Sequence, residues 1–218
     1  NKMNNHLDTE WFGRANVFNT ETEQSWIANP EKIAFPNKTW QEYVDSRRLE
    51  ITCGEAPYLC SRYDAASGEI IPVEKRIGLL DRKLRVVNEN TNIMEDWLKW
   101  THRAFQSCYG YEYQGDNLLI ARINMLMTFI DHTKYKWQRQ ASDEEIKKIT
   151  NIIVWNLWQM DGLSGCVPLI KFEKNLQLTL FEEENEEIEK IECKIYNWRD
   201  NNSILFNSLK NKKRGKKR

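Results

Sequence analysis

The order of elements predicted from this sequence indicates an α/β fold with a parallel sheet. Strand-like residues occur at 48–53 and again at 109–113, and segments with helical periodicity separate them. A third apolar stretch, 151–160, is compatible either with the end of a helix or with a strand. Because strands that alternate with helices form parallel sheets, we predict an α/β sheet with flanking helices whose ligand site lies at the carboxyl ends of its strands.

Composition indicates one globular domain with an added arm. The chain has 218 residues, of which 40% are hydrophobic and 29% are charged. Its 32 basic and 32 acidic residues cancel, which argues against nucleic-acid binding by bulk charge. No apolar run approaches the roughly 20 residues that a membrane-spanning helix needs, so we expect no membrane partner.

The five cysteines predict free thiols in a reducing compartment. Their number is odd, no two are spaced Cys-x-x-Cys, and the chain has only three histidines. This pattern favours a cytoplasmic protein over a secreted one, and it argues against structural zinc. The cysteines are Cys53, Cys60, Cys108, Cys166 and Cys193.

The first 38 residues are predicted to form an arm that packs on the body. Aromatic side chains provide its anchors, namely Trp11, Phe12, Phe18, Trp26 and Phe35. Thr39 followed by Glu42 forms a capping-box pattern, which predicts a short helix over 40–46. The first strand of the sheet, 48–53, comes directly afterwards.

Four longer helices are predicted by apolar periodicity and capping signals. They span 74–88, 92–108, 117–135 and a segment that begins at Asp143 after a capping box at Ser142 and Glu145. The third carries its predicted apolar stripe at Leu119, Ile123, Leu126 and Ile130, and Gly115 with Asp116 is expected to cap it.

The C-terminal third predicts a loop at 161–165, a strand at 177–181, an acidic run at 182–192 and a partner strand at 191–198. Residues 210–218 are almost all basic and are predicted to be disordered. The predicted domain organisation is therefore an arm at 1–38, an α/β domain at 39–209 and a tail at 210–218.

Three loops after predicted strands carry the candidate functional residues. In the first, Glu50 is an acid that can receive a ligand cation, and Gly54 permits close backbone approach. In the second, Glu112 has two acceptor oxygens suited to both hydroxyls of a ribose, although it is also compatible with a surface glutamate on an edge strand. In the third, Asp161 is an acid that follows the apolar stretch 151–160, with Trp158 and Met160 as its apolar neighbours. The alternative there is a helix end capped by Gly162.

Residues 49–59 resemble the cofactor loop of amino-methylating DNA methyltransferases, which is written Leu-Asp-Pro-Ala-Cys-Gly-Ser-Gly-Asn-Phe-Leu. Leu49, Cys53, Gly54 and Leu59 agree with that pattern, and Ala56 and Pro57 replace its second Gly and its Asn. Residues 109–114, Tyr-Gly-Tyr-Glu-Tyr-Gln, resemble the family's Tyr-Gly-Ile-Asp-Ile-Gln. Further stretches resemble adenine methyltransferases that serve as modification subunits of restriction–modification systems, and the likeness extends over about residues 40–210. These stretches are ITCGEAPYL, SRYDAASGE, IGLLDRKLRVVNEN, GYEYQGDNLL, WNLWQMDGL and CKIYNWRDNNSILFNSLK.

The resemblance implies a partial Rossmann-like sheet that binds S-adenosylmethionine. Carried over position by position, it assigns the cofactor to Glu50, Thr52, Cys53, Gly54, Glu55, Pro57, Glu112, Tyr113 and Asp161. In this family an acid after the third strand contacts the adenine amine and apolar residues flank the ring, so the resemblance implies the first role for Asp161 and the second for Trp158 or Met160. Enzymes of this family methylate the exocyclic amine of a flipped-out adenine.

The family's catalytic motif, Asn/Asp-Pro-Pro-Tyr/Phe, does not occur in this chain, because none of its five prolines are adjacent. No catalytic residue is therefore assigned. The resemblance implies the cofactor-binding, amino-terminal part of a truncated or split enzyme, which acts on DNA only as part of the complete enzyme, with a second chain as one source of the motif.

Two features bear on the partners of this chain. The basic tail is either a DNA-phosphate contact or a solubilising end, and its cations are Lys212, Lys213, Arg214, Lys216 and Lys217. The alternative function is a non-enzymatic, methyltransferase-like subunit that binds a partner chain or DNA. A nuclease is disfavoured, because no Pro-Asp…Glu-x-Lys arrangement has suitable spacing.

Overall fold

The computed structural model describes residues 2–23, 25–64, 66–168 and 190–212. Within these ranges the fold is a mixture of helices and small sheets. The helices are α1 (Lys2–Phe12), α2 (Trp40–Asp45), α3 (Leu79–Asn90), α4 (Met94–Gln106), α5 (Gly115–Trp137), α6 (Asp143–Asn156) and α7 (Phe206–Lys212). The strands are β1 (Asn19–Glu21), β2 (Trp26–Ala28), β3 (Arg48–Ile51), β4 (Cys108–Glu112), β5 (Leu157–Gln159), β6 (Lys194–Asn197) and β7 (Asn202–Leu205).

The central sheet is parallel, with strand order β3-β4-β5. Helices α3 and α4 connect β3 to β4, and α5 and α6 connect β4 to β5. The predicted α/β class is therefore confirmed at this level. The stretch 151–160, which was predicted as either a helix end or a strand, contains both, since α6 ends at Asn156 and β5 begins at the next residue. All three strands end at the same edge of the sheet.

The main hydrophobic core lies between the sheet and the helices. Its largest buried side chains include Trp97, Phe105 and Phe129. The N-terminal arm contributes Phe12 and Phe18 to this core, and both rings pack on Tyr43 of α2.

A buried polar network also anchors α1 to the body. Asp8 of α1 accepts a hydrogen bond from the Tyr43 hydroxyl at 2.9 Å and forms an ion pair with Arg82 of α3. Both members of the ion pair are buried. Undocking α1 would therefore remove the buried carboxylate that neutralises Arg82, which is costly.

Local hydrogen bonds from side chains fix the starts of three helices, α2, α3 and α6. Thr39 and Ser142 both form the predicted capping boxes, so α2 and α6 begin where expected. Helix α3 starts later than predicted, because the Asp81 carboxylate accepts the Gly78 N–H at 3.1 Å and fixes the first turn there. Residues Val73–Lys75 form a separate 3₁₀ turn. The prediction that Gly115 and Asp116 cap α5 is wrong, since the helix already includes both residues and its N-cap is Gln114.

The predicted helix over 117–135 is confirmed as part of α5, but the first half of the apolar stripe that predicted it is not the buried face. Leu119 and Ile123 are 59% and 50% exposed, whereas Leu118, Ala121 and Met125 are buried. Apolar residues occur on two neighbouring stripes of this helix, so periodicity alone does not choose between them. Packing decides, because Ala121 is small enough to let the helix approach its neighbours closely.

The C-terminal region departs from the prediction. Strand β6 pairs with β7 in an antiparallel hairpin, whereas the predicted partner, 177–181, lies outside the described residues, as does the acidic run up to residue 189. Residues 210–212 belong to α7 rather than to a disordered tail, and 213–218 lie outside the described residues.

The hairpin and α7 cover one face of the sheet. Ile195 and Phe206 pack there against Tyr111 of β4. Across the described ranges, no helix combines the length and the apolarity needed to cross a bilayer.

Candidate functional site

The loop after β3 folds over β4 at the carboxyl edge of the sheet. Its Cys53 N–H donates to the Tyr111 carbonyl at 2.9 Å. A Cβ on Gly110 would lie 3.0 Å from the Cys53 sulfur and 3.1 Å from Leu59 Cδ1. Glycine between Tyr109 and Tyr111 therefore lets this loop pack directly on the second strand.

The same loop has three residues with left-handed backbone, Thr52 (φ +61°), Gly54 (φ +54°) and Ala56 (φ +66°). This conformation costs a residue with a Cβ about 1–2 kcal/mol, and a β-branched threonine adopts it rarely. Ala56 stands where the resembled pattern has its second glycine, and it keeps a backbone conformation typical of glycine. Strain of this kind is concentrated at ligand-binding loops.

Glu112 joins the loops that follow β3 and β4. One of its carboxylate oxygens accepts the Gly54 N–H at 2.7 Å, and the other accepts the Gln114 N–H at 3.0 Å. The side chain is only 7% exposed. Each oxygen retains acceptor capacity, so Glu112 can accept two further hydrogen bonds from a ligand that reaches it.

Glu50 is a buried carboxyl group beside Glu112. It is 9% exposed, and its Oε2 has no hydrogen-bond partner among the described residues. Burial, together with the nearby charge of Glu112, raises the pKa of Glu50 to about 8. A buried acid in this setting is stabilised either by a proton or by a cation that enters the site.

Cys53 is not suited to nucleophilic chemistry here. Burial raises the pKa of its thiol to about 12, and the charges of Glu50 and Glu112 act in the same direction. Since only the thiolate is strongly nucleophilic, the geometry assigns Cys53 a packing role.

Glu55 points away from the two central acids. Its carboxylate accepts a hydrogen bond from the Tyr63 hydroxyl, and its carbonyl accepts one from Asn124 Nδ2 at 3.0 Å. Sequence reasoning missed both Tyr63 and Asn124, which hold this part of the loop. The available signal was an asparagine within the apolar stretch 123–127 of a predicted helix, since a polar residue on a buried face needs a specific partner.

Pro57 and Tyr113 lie at the exposed rim. Pro57 is exposed, and Tyr113 is 52% exposed with its carbonyl accepting a hydrogen bond from Gln159 Nε2 at 3.1 Å. Thr52 is exposed as well, and its hydroxyl donates to the Ile51 carbonyl.

Asp161 lies in the loop after β5, beyond the end of α6, so the helix-cap alternative is wrong. Its carboxylate accepts hydrogen bonds from the Ser164 hydroxyl at 2.8 Å and the Leu163 N–H at 2.9 Å, and these bonds lower its pKa. A Cβ on Gly162 would lie 2.5 Å from Ile51 Cγ2, so this loop crosses the end of β3. Ile51 and Glu50 lie on opposite faces of that strand.

The residues predicted to flank an adenine ring have other partners. Met160 is 1% exposed and packs with Tyr111 and Phe206 under the C-terminal hairpin. Trp158 is partly buried against the same cluster, and its indole N–H donates to the Trp155 carbonyl. The structure thus brings Glu50, Cys53, Gly54 and Glu112 together and directs the Asp161 carboxylate into its own loop.

The described residues contain no candidate metal site, and the side chains predicted to contact DNA lie outside them. Within the described ranges, no group of three or more His, Cys, Asp or Glu residues is arranged to hold a metal ion. Of the predicted DNA contacts, Lys212 is in α7 with its side chain outside the described part of the chain, and Lys213, Arg214, Lys216 and Lys217 are outside it altogether.

Comparison with known proteins gives no assignment. No family model, no curated protein and no solved structure matches this chain significantly.

Proposed function

We propose that this chain is the S-adenosylmethionine-binding part of a DNA adenine-N6 methyltransferase from a restriction–modification system. In this proposal it transfers no methyl group alone, because another segment or chain supplies the catalytic motif. The observation that carries the proposal is the buried, unpartnered carboxylate oxygen of Glu50 beside Glu112, at the carboxyl ends of adjacent parallel strands.

The chemistry of the two acids fits the cofactor. S-adenosylmethionine carries an ammonium and a sulfonium, and a cation beside Glu50 would favour its ionised form. The remaining acceptor capacity of Glu112 suits ribose hydroxyls. When bound, the cofactor supplies an electrophilic methyl group, and the role of these residues is to bind and orient it.

The same geometry argues against a phosphate-bearing nucleotide. Phosphate-binding loops offer free backbone N–H groups to an anion. Here the Gly54 N–H is already used by the Glu112 carboxylate, and Glu50 lies nearby. The Glu112 carboxylate would repel a phosphate, and an anion would further oppose ionisation of the buried Glu50, which favours an uncharged or cationic ligand portion at this position.

The strand order supports a partial Rossmann-like sheet. Strands β3, β4 and β5 are neighbours in chain order, as in one half of a doubly wound sheet. Among the described residues, no strand pairs with the outer edge of β3, where Leu49 and Ile51 are 45% and 48% exposed. A further strand that adds to this edge would bring its own carboxyl end, and any motif there, beside Glu50.

Isothermal titration of S-adenosylmethionine into the whole chain tests the cofactor site. We expect the wild type to bind the cofactor and Glu112→Gln to bind it at least about tenfold more weakly, since a hydrogen bond to a charged group contributes about 1.5–3 kcal/mol. Glu144→Gln is the matched control, because this exposed carboxyl on α6 lies elsewhere. Thermal melts check that each variant is folded. Folded protein that fails to bind at millimolar ligand contradicts the proposal.

A second experiment tests the substrate class. The chain is incubated with labelled cofactor and duplex DNA, with and without a chain that carries Asn-Pro-Pro-Tyr from the same source. We expect methyl transfer only in the mixture. Transfer by the chain alone, or none by the mixture despite cofactor binding, contradicts the split-enzyme part of the proposal.

A further inference from the structure

A large groove lies between β2 on one side and residues 64 and 69–75 on the other, and neither Glu50 nor Glu112 lines it. Its volume is about 750 Å³. Apolar side chains supply much of its lining, namely Trp26, Ile27 and Ala28 from one wall and Ile70, Ile71 and Pro72 from the other.

One wall of the groove is an open strand edge. Strand β2 pairs with β1, and among the described residues no strand pairs with its other side. The Thr22 N–H donates to the Ser25 carbonyl at 3.0 Å and the Asn29 N–H to the Phe18 carbonyl at 2.9 Å. The backbone N–H and C=O groups of successive residues point to opposite sides of a strand. Those of Trp26 and Ala28 therefore point away from β1. Such an edge is a template for another extended chain.

The opposite wall is a closed turn rather than a free loop. Tyr63 and Ile70 form an antiparallel bridge, and the Asp64 N–H donates to the Glu69 carbonyl at 2.9 Å. The Trp26 indole N–H donates to the Lys75 carbonyl at 3.0 Å, which ties the two walls together. The groove therefore has a fixed width before any ligand enters.

Apolar side chains on both walls are exposed to solvent. Ile27 is 65% exposed and Ile70 is 58% exposed, and both line the groove. An apolar side chain from a third strand would bury part of this surface, at about 25 cal/mol per Å² removed from water.

The charges around the groove select its occupant. Among the lining residues, three are acidic, Asp64, Glu69 and Glu74, and one is basic, Lys75. Hydrogen bonds from the Ser67 and Ala66 N–H groups hold the pKa of Asp64 below its usual value, so it remains a fixed negative charge. This surface repels nucleic-acid phosphates and attracts lysine and arginine side chains.

We propose that this groove binds an extended basic segment of a partner protein, which adds to β2 as a third strand. Side chains alternate across a strand. Lysine or arginine residues then face Asp64, Glu69 and Glu74, and the intervening apolar residues pack between Ile27 and Ile70. This interaction does not depend on the cofactor site, so the two proposals fail independently.

Fluorescence anisotropy with a labelled nine-residue peptide of alternating Lys and Val tests this surface. We expect the wild-type chain to bind this probe, with weaker binding as NaCl rises from 50 to 300 mM. A peptide of alternating Glu and Val should not bind. Methylation of the backbone nitrogens of the Lys/Val probe should weaken binding about tenfold, because it removes the strand hydrogen bonds.

Variants of the groove separate its contributions. We expect Glu69→Gln combined with Glu74→Gln to weaken probe binding roughly fivefold, as two exposed charge pairs are lost. Ile70→Ser should also weaken probe binding. Because Ile70 is exposed, misfolding of this variant would not account for the loss of binding. Glu95→Gln combined with Glu144→Gln is the charge-matched control, because both glutamates are exposed and neither lines the groove, and it should bind the probe as the wild type does.

Three results would overturn the assignment. The first is equal binding of the Lys/Val and Glu/Val peptides, or no response to the groove variants. The second is displacement of the probe by a 20-base-pair DNA duplex, which would make the groove a nucleic-acid site. The third is at least fivefold tighter probe binding after removal of residues 213–218, which would show that the chain's own tail occupies the groove.

Discussion

Replacement of Glu50 by Gln is expected to stabilise the protein, by an amount that grows with pH. Glu50 is 9% exposed, and no cation is among its hydrogen-bond partners in the described structure. Glutamine has nearly the same shape and no charge to bury. The substitution therefore removes the free-energy cost of a buried acid without creating a cavity.

The size of the effect follows from the pKa difference. Burial and Glu112 raise the pKa of Glu50 from 4.5 to about 8 in the folded protein. Below about pH 4.5 both states are protonated and the folded state has its full stability. As pH rises towards 8 only the unfolded state ionises, so wild-type stability falls by about 1.4 kcal/mol per pH unit. From pH 5 to pH 8 the variant should gain about 3–4 kcal/mol relative to the wild type.

Urea unfolding followed by tryptophan fluorescence measures this difference. The chain has nine tryptophans; Trp97 is buried in the core and several others pack against it partly buried, so the signal reports on tertiary structure. Wild type, Glu50→Gln and Glu144→Gln are compared at pH 5, 6, 7 and 8. The Glu144 variant has the same change in net charge at an exposed position, and its curve should remain parallel to that of the wild type.

Parallel stability curves for wild type and Glu50→Gln from pH 5 to pH 8 would refute this reasoning. They would mean that Glu50 is ionised and compensated in the folded protein, so that the site has no need of a cation. A saturating cationic ligand gives a further check, because it should reduce the pH dependence of the wild type and leave that of the variant unchanged.

Three other substitutions have defined outcomes, each measured by urea unfolding at pH 7. Gly78→Ala should lower the unfolding free energy by about 2–3 kcal/mol, because its Cβ would lie 2.5 Å from the Leu59 carbonyl oxygen, which is backbone and cannot move aside cheaply. Asp8→Asn should lower it by about 3 kcal/mol, since Arg82 loses its buried carboxylate partner. Thr52→Gly should raise it by about 0.5–1 kcal/mol, because glycine adopts a φ of +61° without strain and the exposed side chain packs little.

Each of these outcomes has a clear opposite. A neutral Gly78→Ala would mean that α3 shifts away from the loop without loss of packing. A neutral Asp8→Asn would mean that α1 contributes little to stability. A destabilising Thr52→Gly would show that the threonine hydroxyl or the stiffer unfolded chain outweighs the backbone strain.

Local signals in the sequence predicted the elements that depend on near neighbours. The capping boxes at Thr39 and Ser142 set the starts of two helices, since each involves only residues three apart. The position of Gly54 between a strand and a turn predicted a loop of unusual backbone conformation. Placement of Glu50 and Glu112 at the ends of adjacent strands followed from the alternation of strands and helices.

Other features depend on residues distant in the chain and were not predictable. The buried face of α5 was not specified by its sequence, because two stripes of the helix are apolar and only packing against the sheet and α6 distinguishes them. The pairing of β6 with β7 was not predicted, because a strand does not specify which other strand pairs with it, and the predicted partner at 177–181 lies outside the described residues. Tyr63 and Asn124 were missed because their contacts with Glu55 cross between separate elements.

The sequence by itself determined the α/β class, the alternation of strands and helices along the chain, and the residue types that follow the first two strands, because these depend on periodicity and local backbone preference. Only the tertiary structure decided that Glu112 accepts the Gly54 N–H, that Glu50 is buried without a partner and that Asp161 turns into its own loop. Burial and hydrogen bonding between distant residues set the charge and the accessibility of a side chain, and no local pattern specifies them.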